Sequence, residues 1–267
     1  MPSVLALFAH PDDIEFVAAG TLALLKQQGW DIHLMNLADG CCGSTTTSRQ
    51  ETARIRLEEA KRAAAHLQAT HYDPIFHDLE VQYTQDALIH LVGIVRRVKP
   101  RIVLTHAPVD YMEDHMQTCR LAVTAAFAKG VPNYPEPSDP RFEPAFFNDV
   151  TVYHAQPHGN RTPLGKTVRP GLGVFVDGVM DTKQAMLAEH RSQQAWLKES
   201  QGMNSYIQTM LDLGSQVAGM LRSRIPRERR GAYAEGWTKH LHLGFSDTDC
   251  DPLRDVLGPL AVELPSN

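Results

Sequence analysis

His10-Pro11-Asp12-Asp13-Ile14-Glu15 puts one imidazole and three carboxylates into six consecutive residues, directly after the apolar run 4–9. Such a cluster at the end of a first strand is poor core material and good material for a metal site with a base beside it. Catalytic zinc commonly takes three His or carboxylate ligands and keeps a fourth position for water. His10 and Asp13 stand three apart across a strand-to-helix turn, and His115 on a later segment supplies a third ligand. Asp12 is then left over beside the metal, in the place of a general base that takes a proton from water. Helix capping and the helix dipole favour an aspartate here as well. They explain one of the two and leave the histidine unexplained.

The elements that must position these residues alternate along the chain. Residues 4–9 form a continuous apolar run, as in a parallel strand buried on both faces. Residues 14–28 carry helical spacing and stop at Gly29. A second strand is expected over 31–37, a polar glycine-containing loop over 38–47, and a helix over 48–67 opened by a Ser48/Glu51 capping box. A weaker strand at 72–76, a helix at 85–98, a strand at 101–106 and a helix at about 115–129 follow. After a proline- and acid-rich excursion at 130–144, read as ordered chain or a lid, come strands at 150–154 and 173–176 and helices at 183–199 and 205–223. The tail from Pro226 is read as irregular, with strand-like alternation at 239–243. These βαβ units imply an α/β, Rossmann-like, open and mostly parallel sheet with helices on both faces. The whole chain, 1–267, is expected to be a single domain with a C-terminal helical and irregular extension.

Ligands bind such sheets outside the carboxyl ends of the strands. That is where His10, Asp12, Asp13, Asp39, Asp78, His106, Asp110, Tyr111, Asp114 and His115 fall. Asp114 is read as orienting a metal-bound histidine rather than as a fourth ligand. Arg49, Arg56 and Asp78 are candidates to contact the hydroxyls of a polar substrate. The adjacent Cys41 and Cys42 lack the spacing of a metal or redox motif and are read as small loop residues.

Bulk composition is that of an ordinary globular protein: 43% hydrophobic, 21% charged, net charge −5, with a pI near 6.2. It argues against nucleic acid as partner. The arginine run at 222–230 is read as a solvated or subunit-facing patch, and a homo-oligomer is left open. The longest apolar stretch of note, 16–25, is half of a membrane span. No leader is recognised, and four cysteines without a pairing pattern fit a reduced, cytoplasmic setting.

Ala9-His10-Pro11-Asp12-Asp13-Ile14-Glu15 resembles the AHPDDxE signature of the PIG-L/LmbE-like family of zinc-dependent N-acetylglucosaminyl deacetylases. The Arg56-Leu57-Glu58-Glu59-Ala60 helix, the pair Asp114-His115, and Ala188-Glu189-His190-Arg191-Ser192-Gln193 are similar to its later motifs, over residues 3–245 in all. The resemblance implies zinc on His10, Asp13 and His115, and Asp12 as base. Asp114 and His190, the latter on a helix similar to a family motif, are assigned to the catalytic site, and Arg56, Asp78 and Tyr111 are assigned to contact with a small N-acetylated sugar or similar acylated amine. One position departs from the pattern. The second motif is commonly His-Pro-Asp-His, whereas this chain has Met112-Glu113-Asp114-His115. Methionine cannot donate a proton. Tyr111, His106, His154, His190, His240 and His242 are candidates to replace the missing acid. Two rival readings stay open: the same metal site running a hydration or other hydrolysis, and a sugar- or nucleotide-binding module with a vestigial site.

Overall fold

The computed structural model describes residues 1–202, 205–222, 225–226 and 230–264. Its centre is β1 (Ser3–Phe8), in which Val4, Ala6 and Phe8 face one helical layer and Leu5 and Leu7 the other, every one fully buried. Burial on both faces is why this strand shows no polar alternation. It pairs in parallel with β2 (Asp31–Asn36) on one side and β4 (Ile102–Thr105) on the other. β3 (Thr70–Tyr72) lies outside β2, and β5 (Thr151–Ala155) outside β4, both parallel. Beyond β5 the sheet turns antiparallel through β6 (Leu172–Phe175), β7 (Ala234–Lys239) and β8 (Ala261–Glu263), giving the order β3-β2-β1-β4-β5-β7-β6-β8. Successive strands depart in opposite directions from β1, so a crevice opens at the carboxyl ends of β1 and β4.

One face is covered by α1 (Asp13–Val17), α2 (Ala19–Gln27), α3 (Arg49–Ala65), α6 (Met180–Ala188), α8 (Tyr206–Leu221) and α9 (Pro252–Leu257). The other is covered by α4 (Gln85–Val98) and α5 (Glu113–Ala128). Ser48 caps α3 by accepting from the Glu51 amide at 3.3 Å, as the capping box predicts. Among the described residues no helix is long and apolar enough to cross a membrane.

Two helices expected to be continuous are broken, each by a distant carboxylate. The 14–28 helix divides at Ala18 because Gly20 N and Thr21 N donate to the Glu235 carboxylate at 2.8 and 2.7 Å. A Cβ on Gly20 would meet Val176 Cγ1 at 2.6 Å, so glycine permits that approach. Lys183 neutralises Glu235 and also donates to the Phe16 carbonyl. The 183–199 helix divides at His190, giving α6 and α7 (Arg191–Gln201), where Glu59 accepts from Ser192 N and Oγ at 2.9 and 2.6 Å. A carboxylate at a helix N-terminus satisfies amides that have no partner within the helix.

Two further expectations are corrected, and one alternative is decided. The third strand ends at Tyr72, and Phe76 makes only an isolated bridge to Ala38. The tail is not irregular: it supplies β7, α9 and β8, and the alternation at 239–243 begins where β7 ends. The 130–144 excursion is ordered chain, pinned by the buried Arg96. Its guanidinium donates to the carbonyls of Ala128, Lys129, Val131, Tyr134 and Glu143 at 2.6–3.1 Å. Of the arginine run at 222–230, Arg224, Arg227 and Arg229 lie outside the described residues.

Candidate metal centre and active site

The turn after β1 carries His10, Asp12 and Asp13, and α5 brings His115 to them from the end of β4. Asp12 sits at φ +111°, a left-handed value that costs a non-glycine residue about 1–3 kcal/mol. The surroundings hold it there. Asn36 Nδ2 donates to the His10 carbonyl at 2.6 Å, Arg56 Nη2 donates to the Pro11 carbonyl, and the Phe16 amide donates to the Asp12 carbonyl at 3.0 Å. The result is two adjacent carboxylates that point to different partners.

Asp13 stands 3.3 Å from His10 Nδ1 and 3.4 Å from His115 Nε2. His10, Asp13 and His115 each offer one ligand atom, mutually within 4.8 Å. The remaining nitrogen of each histidine is engaged by a carboxylate. His10 Nε2 meets Asp114 at 3.0 Å and Asp78 at 3.2 Å, and His115 Nδ1 meets Asp110 at 3.0 Å. That leaves His115 Nε2 buried with no hydrogen-bond partner. An imidazole tied on one side by a carboxylate and bare on the other, facing a third anionic ligand, is the arrangement that suits a divalent cation. Electrostatics agree. Burial would lower His10 and His115, yet their carboxylate partners outweigh it and hold both imidazoles above the usual value. A field that retains a proton there will retain a cation in its place.

The two neighbouring aspartates are driven apart. Burial raises Asp13, but His115 and His106 outweigh it and keep the carboxyl well below the usual range. Burial also raises Asp12, and there the opposing Arg56 guanidinium, 3.5 Å from Oδ1, does not cancel it. Tyr206 donates its hydroxyl to the other Asp12 oxygen. One carboxylate is thus suited to hold a metal and the other to exchange a proton.

These groups open onto a cavity of about 310 Å³ lined by His10, Asp12, Asp13, Arg56, Asp78, Tyr111 and His115, together with Phe16, Cys42, Gly43, Leu79, Met112, His158, Gln193, Trp196 and Leu197. The predicted residues Arg56, Asp78 and Tyr111 therefore reach the cavity. Asp114 does not; it accepts from Leu79 N at 2.8 Å and from Val81 N, and works through His10. His190 is placed differently from its expected catalytic position. It is fully buried, 3.3 Å from Glu15, behind the cavity wall, because its backbone forms the α6–α7 junction. His106 stacks on His115 at 4.0 Å, with its Nε2 accepting from Ala9 N. His154 and His240 pair with each other one layer deeper, and His242 lies 3.7 Å from Asp249. None of these four lines the cavity. Arg49 turns away to Glu80 at 2.7 Å.

Four residues of the site carried no assigned role in the sequence reading. Asp110, five residues before His115, was legible as one more carboxylate after β4. Tyr206, His158 and Trp196 belong to no motif, and their part depends on how the second half of the chain docks.

Residues 5–127 match the family described as PIG-L: GlcNAc-PI de-N-acetylase. The chain is 30% identical to a diacetylchitobiose deacetylase of Thermococcus kodakarensis over 198 residues, 71% of this chain and 69% of that protein. It is 28% identical to a 4-oxalmesaconate hydratase of Pseudomonas putida over 193 residues, 69% and 71% of the two chains. Among solved structures it superposes on a 4-carboxy-2-hydroxymuconate hydratase from Pseudomonas putida. The TM-score is 0.74 at 25% identity, covering 90% of this chain and 97% of that one.

Proposed function

The chain belongs to the PIG-L family, and from that premise we propose that it is a zinc-dependent hydrolase that removes an acetyl group from the amine of a small N-acetylated sugar. The observation that carries this reading is the buried, unpartnered Nε2 of His115, aimed with His10 and Asp13 at one point beside Asp12. Zinc held by those three residues would polarise the amide carbonyl and acidify a water. Asp12 takes the water proton, while Arg56 and Tyr206 fix its two oxygens. Asp110, Asp114 and Asp78 hold the ligand imidazoles in the required tautomer and orientation.

The walls suit a neutral sugar. Trp196 and Phe16 offer apolar faces, and Gln193 and Asp78 offer polar atoms for hydroxyls. Among the described residues Arg56 is the one lysine or arginine of the lining, and its guanidinium is already engaged by the carbonyls of Pro11 and Gly40. A substrate with two carboxylates would meet Asp12 and Asp78 with little positive charge to receive it.

Asp12→Asn is expected to lower amine release from N-acetylhexosamine glycosides by about 10²-fold or more, with zinc still near one per chain. Retained turnover, or loss of zinc from the variant, would overturn the role of Asp12. Met112 on the cavity wall, together with the similarity to a hydratase in both sequence and structure, favours a second reading in which the same activated water adds to an unsaturated acid. Parallel screening of acetylated sugars and unsaturated diacids separates the two.

A further inference from the structure

At the first position of Met112-Glu113-Asp114-His115 a methionine, with no proton to give, lines the cavity wall. Hydrolysis of an amide still requires a proton for the departing nitrogen, since an amine does not leave as an anion. Among the cavity-lining residues the imidazoles are His10, His115 and His158. His10 and His115 are committed to the metal set, each with its second nitrogen on a carboxylate. The phenol of Tyr111 is a weak proton donor at neutral pH compared with an imidazole. His158 is exposed, and no hydrogen bond to its ring occurs among the described residues.

The position of His158 is built rather than incidental. It opens a single 3-10 turn, His158–Asn160, that follows β5 at the carboxyl edge of the sheet. Gly159 and Asn160 both adopt positive φ, at 75° and 53°. Buried Asn160 holds the turn from below: its Nδ2 donates to the Leu213 carbonyl and to Gln216 Oε1, and its carbonyl accepts from Val168 N at 3.0 Å. The ring is presented between Phe16 and Tyr111, with centroids 5.8 and 5.6 Å away. Tyr111 in turn stands edge-on to His115 at 5.5 Å. One aromatic ring therefore separates the free imidazole from a metal-ligand imidazole.

We infer that His158 is the general acid that protonates the leaving amine. In the balanced step, the carbonyl carbon gains the oxygen of water and the C–N bond breaks. Asp12 takes the proton of that water, and the amine nitrogen takes a proton from the His158 imidazolium. Solvent then returns a proton to the exposed ring and removes one from Asp12. The inference rests on the deacetylase reading above, and the test keeps the two apart.

His158→Ala and His158→Gln are compared with the unaltered enzyme on two acetyl donors, an N-acetylated amino sugar and p-nitrophenyl acetate, whose phenolate leaves without a proton. Expected is a loss of kcat of about 10²-fold on the sugar. KM, ester hydrolysis and zinc content should change little, and added imidazole should restore part of the sugar activity of His158→Ala through the open mouth. Equal losses on sugar and ester would mean a merely structural role and overturn the inference, as would undiminished deacetylation by either variant. An unaltered enzyme inert toward acetylated sugars would instead overturn the deacetylase reading, and this role with it.

Discussion

Replacing Asp110 by Asn isolates what a carboxylate behind a metal ligand contributes. Asp110 is buried, its Oδ1 lies 3.0 Å from His115 Nδ1, and the same oxygen accepts from Met112 N at 3.3 Å. An asparagine can present a carbonyl oxygen to both donors, so the geometry survives and the negative charge is lost. With it goes the polarisation that makes His115 Nε2 a better donor to a cation. Loss of such an outer partner costs about 10–100-fold in metal affinity, or about 1.4–2.7 kcal/mol. His10 offers an internal contrast, because both Asp114 and Asp78 serve its Nε2, at 3.0 and 3.2 Å. Asp78→Asn should therefore weaken binding by less than Asp110→Asn. Zinc affinity of the stripped protein, measured by competition with a chromophoric chelator at one near-neutral pH, gives both values. An Asp110→Asn affinity within about twofold of the unaltered protein would refute the assignment of His115 Nε2 as a ligand atom held by Asp110.

Two other outcomes follow from the packing. Arg96→Met removes five hydrogen bonds, two of them buried, that tie the 130–144 segment to the fold, and should destabilise it by at least about 3 kcal/mol in urea titration. Activity per folded molecule should be unchanged, because residues 130–148 do not line the cavity. Burial lowers His154 from 6.5 to about 4, with its Nδ1 on the His106 carbonyl at 2.9 Å. The unfolded chain thus binds a proton near pH 6.5 that the folded chain refuses until about pH 4, so stability falls as pH drops through that window. Between pH 7 and pH 5 the loss from this residue should be about 2 kcal/mol. In His154→Gln the urea midpoint should depend less on pH over that range, and an unaltered slope would contradict the assignment.

The parallel half of the sheet was readable because its causes are local. The apolar run at 4–9, the Ser48 cap and the helix over 85–98 each depend on neighbours within a few residues. His10, Asp13 and His115 were readable as a group because few residue types can share a cation at strand ends, and the fold brings their ligand atoms within 4.8 Å of one another. The breaks at Ala18 and His190 were not, since Gly20 alone is a weak signal at the first, no glycine or proline marks the second, and the disrupting carboxylates, Glu235 and Glu59, are far away in sequence. The same reason hid Tyr206 and His158. A tyrosine on a C-terminal helix and a histidine on a turn acquire a role only after that part of the chain has docked. His190 shows the converse: its motif position points to the active site, and its side chain stands behind the cavity wall against Glu15.

The Glu235 carboxylate has a consequence for the order in which the molecule comes into being. Gly20 and Thr21 lie 215 and 214 residues from their acceptor, and Lys183 joins that acceptor to the carbonyl of Phe16, a wall of the cavity. During synthesis the turn that carries His10, Asp12 and Asp13 leaves the ribosome long before Glu235, the group that ends α1 and starts α2. Contacts of such separation slow folding, because a long loop must close before they can reward it. Until β7 pairs with β5 and β6, the amides of α2 stay open to water and Phe16 has no fixed station. The cavity is therefore a late product of folding, and its completion reports that β7 has docked.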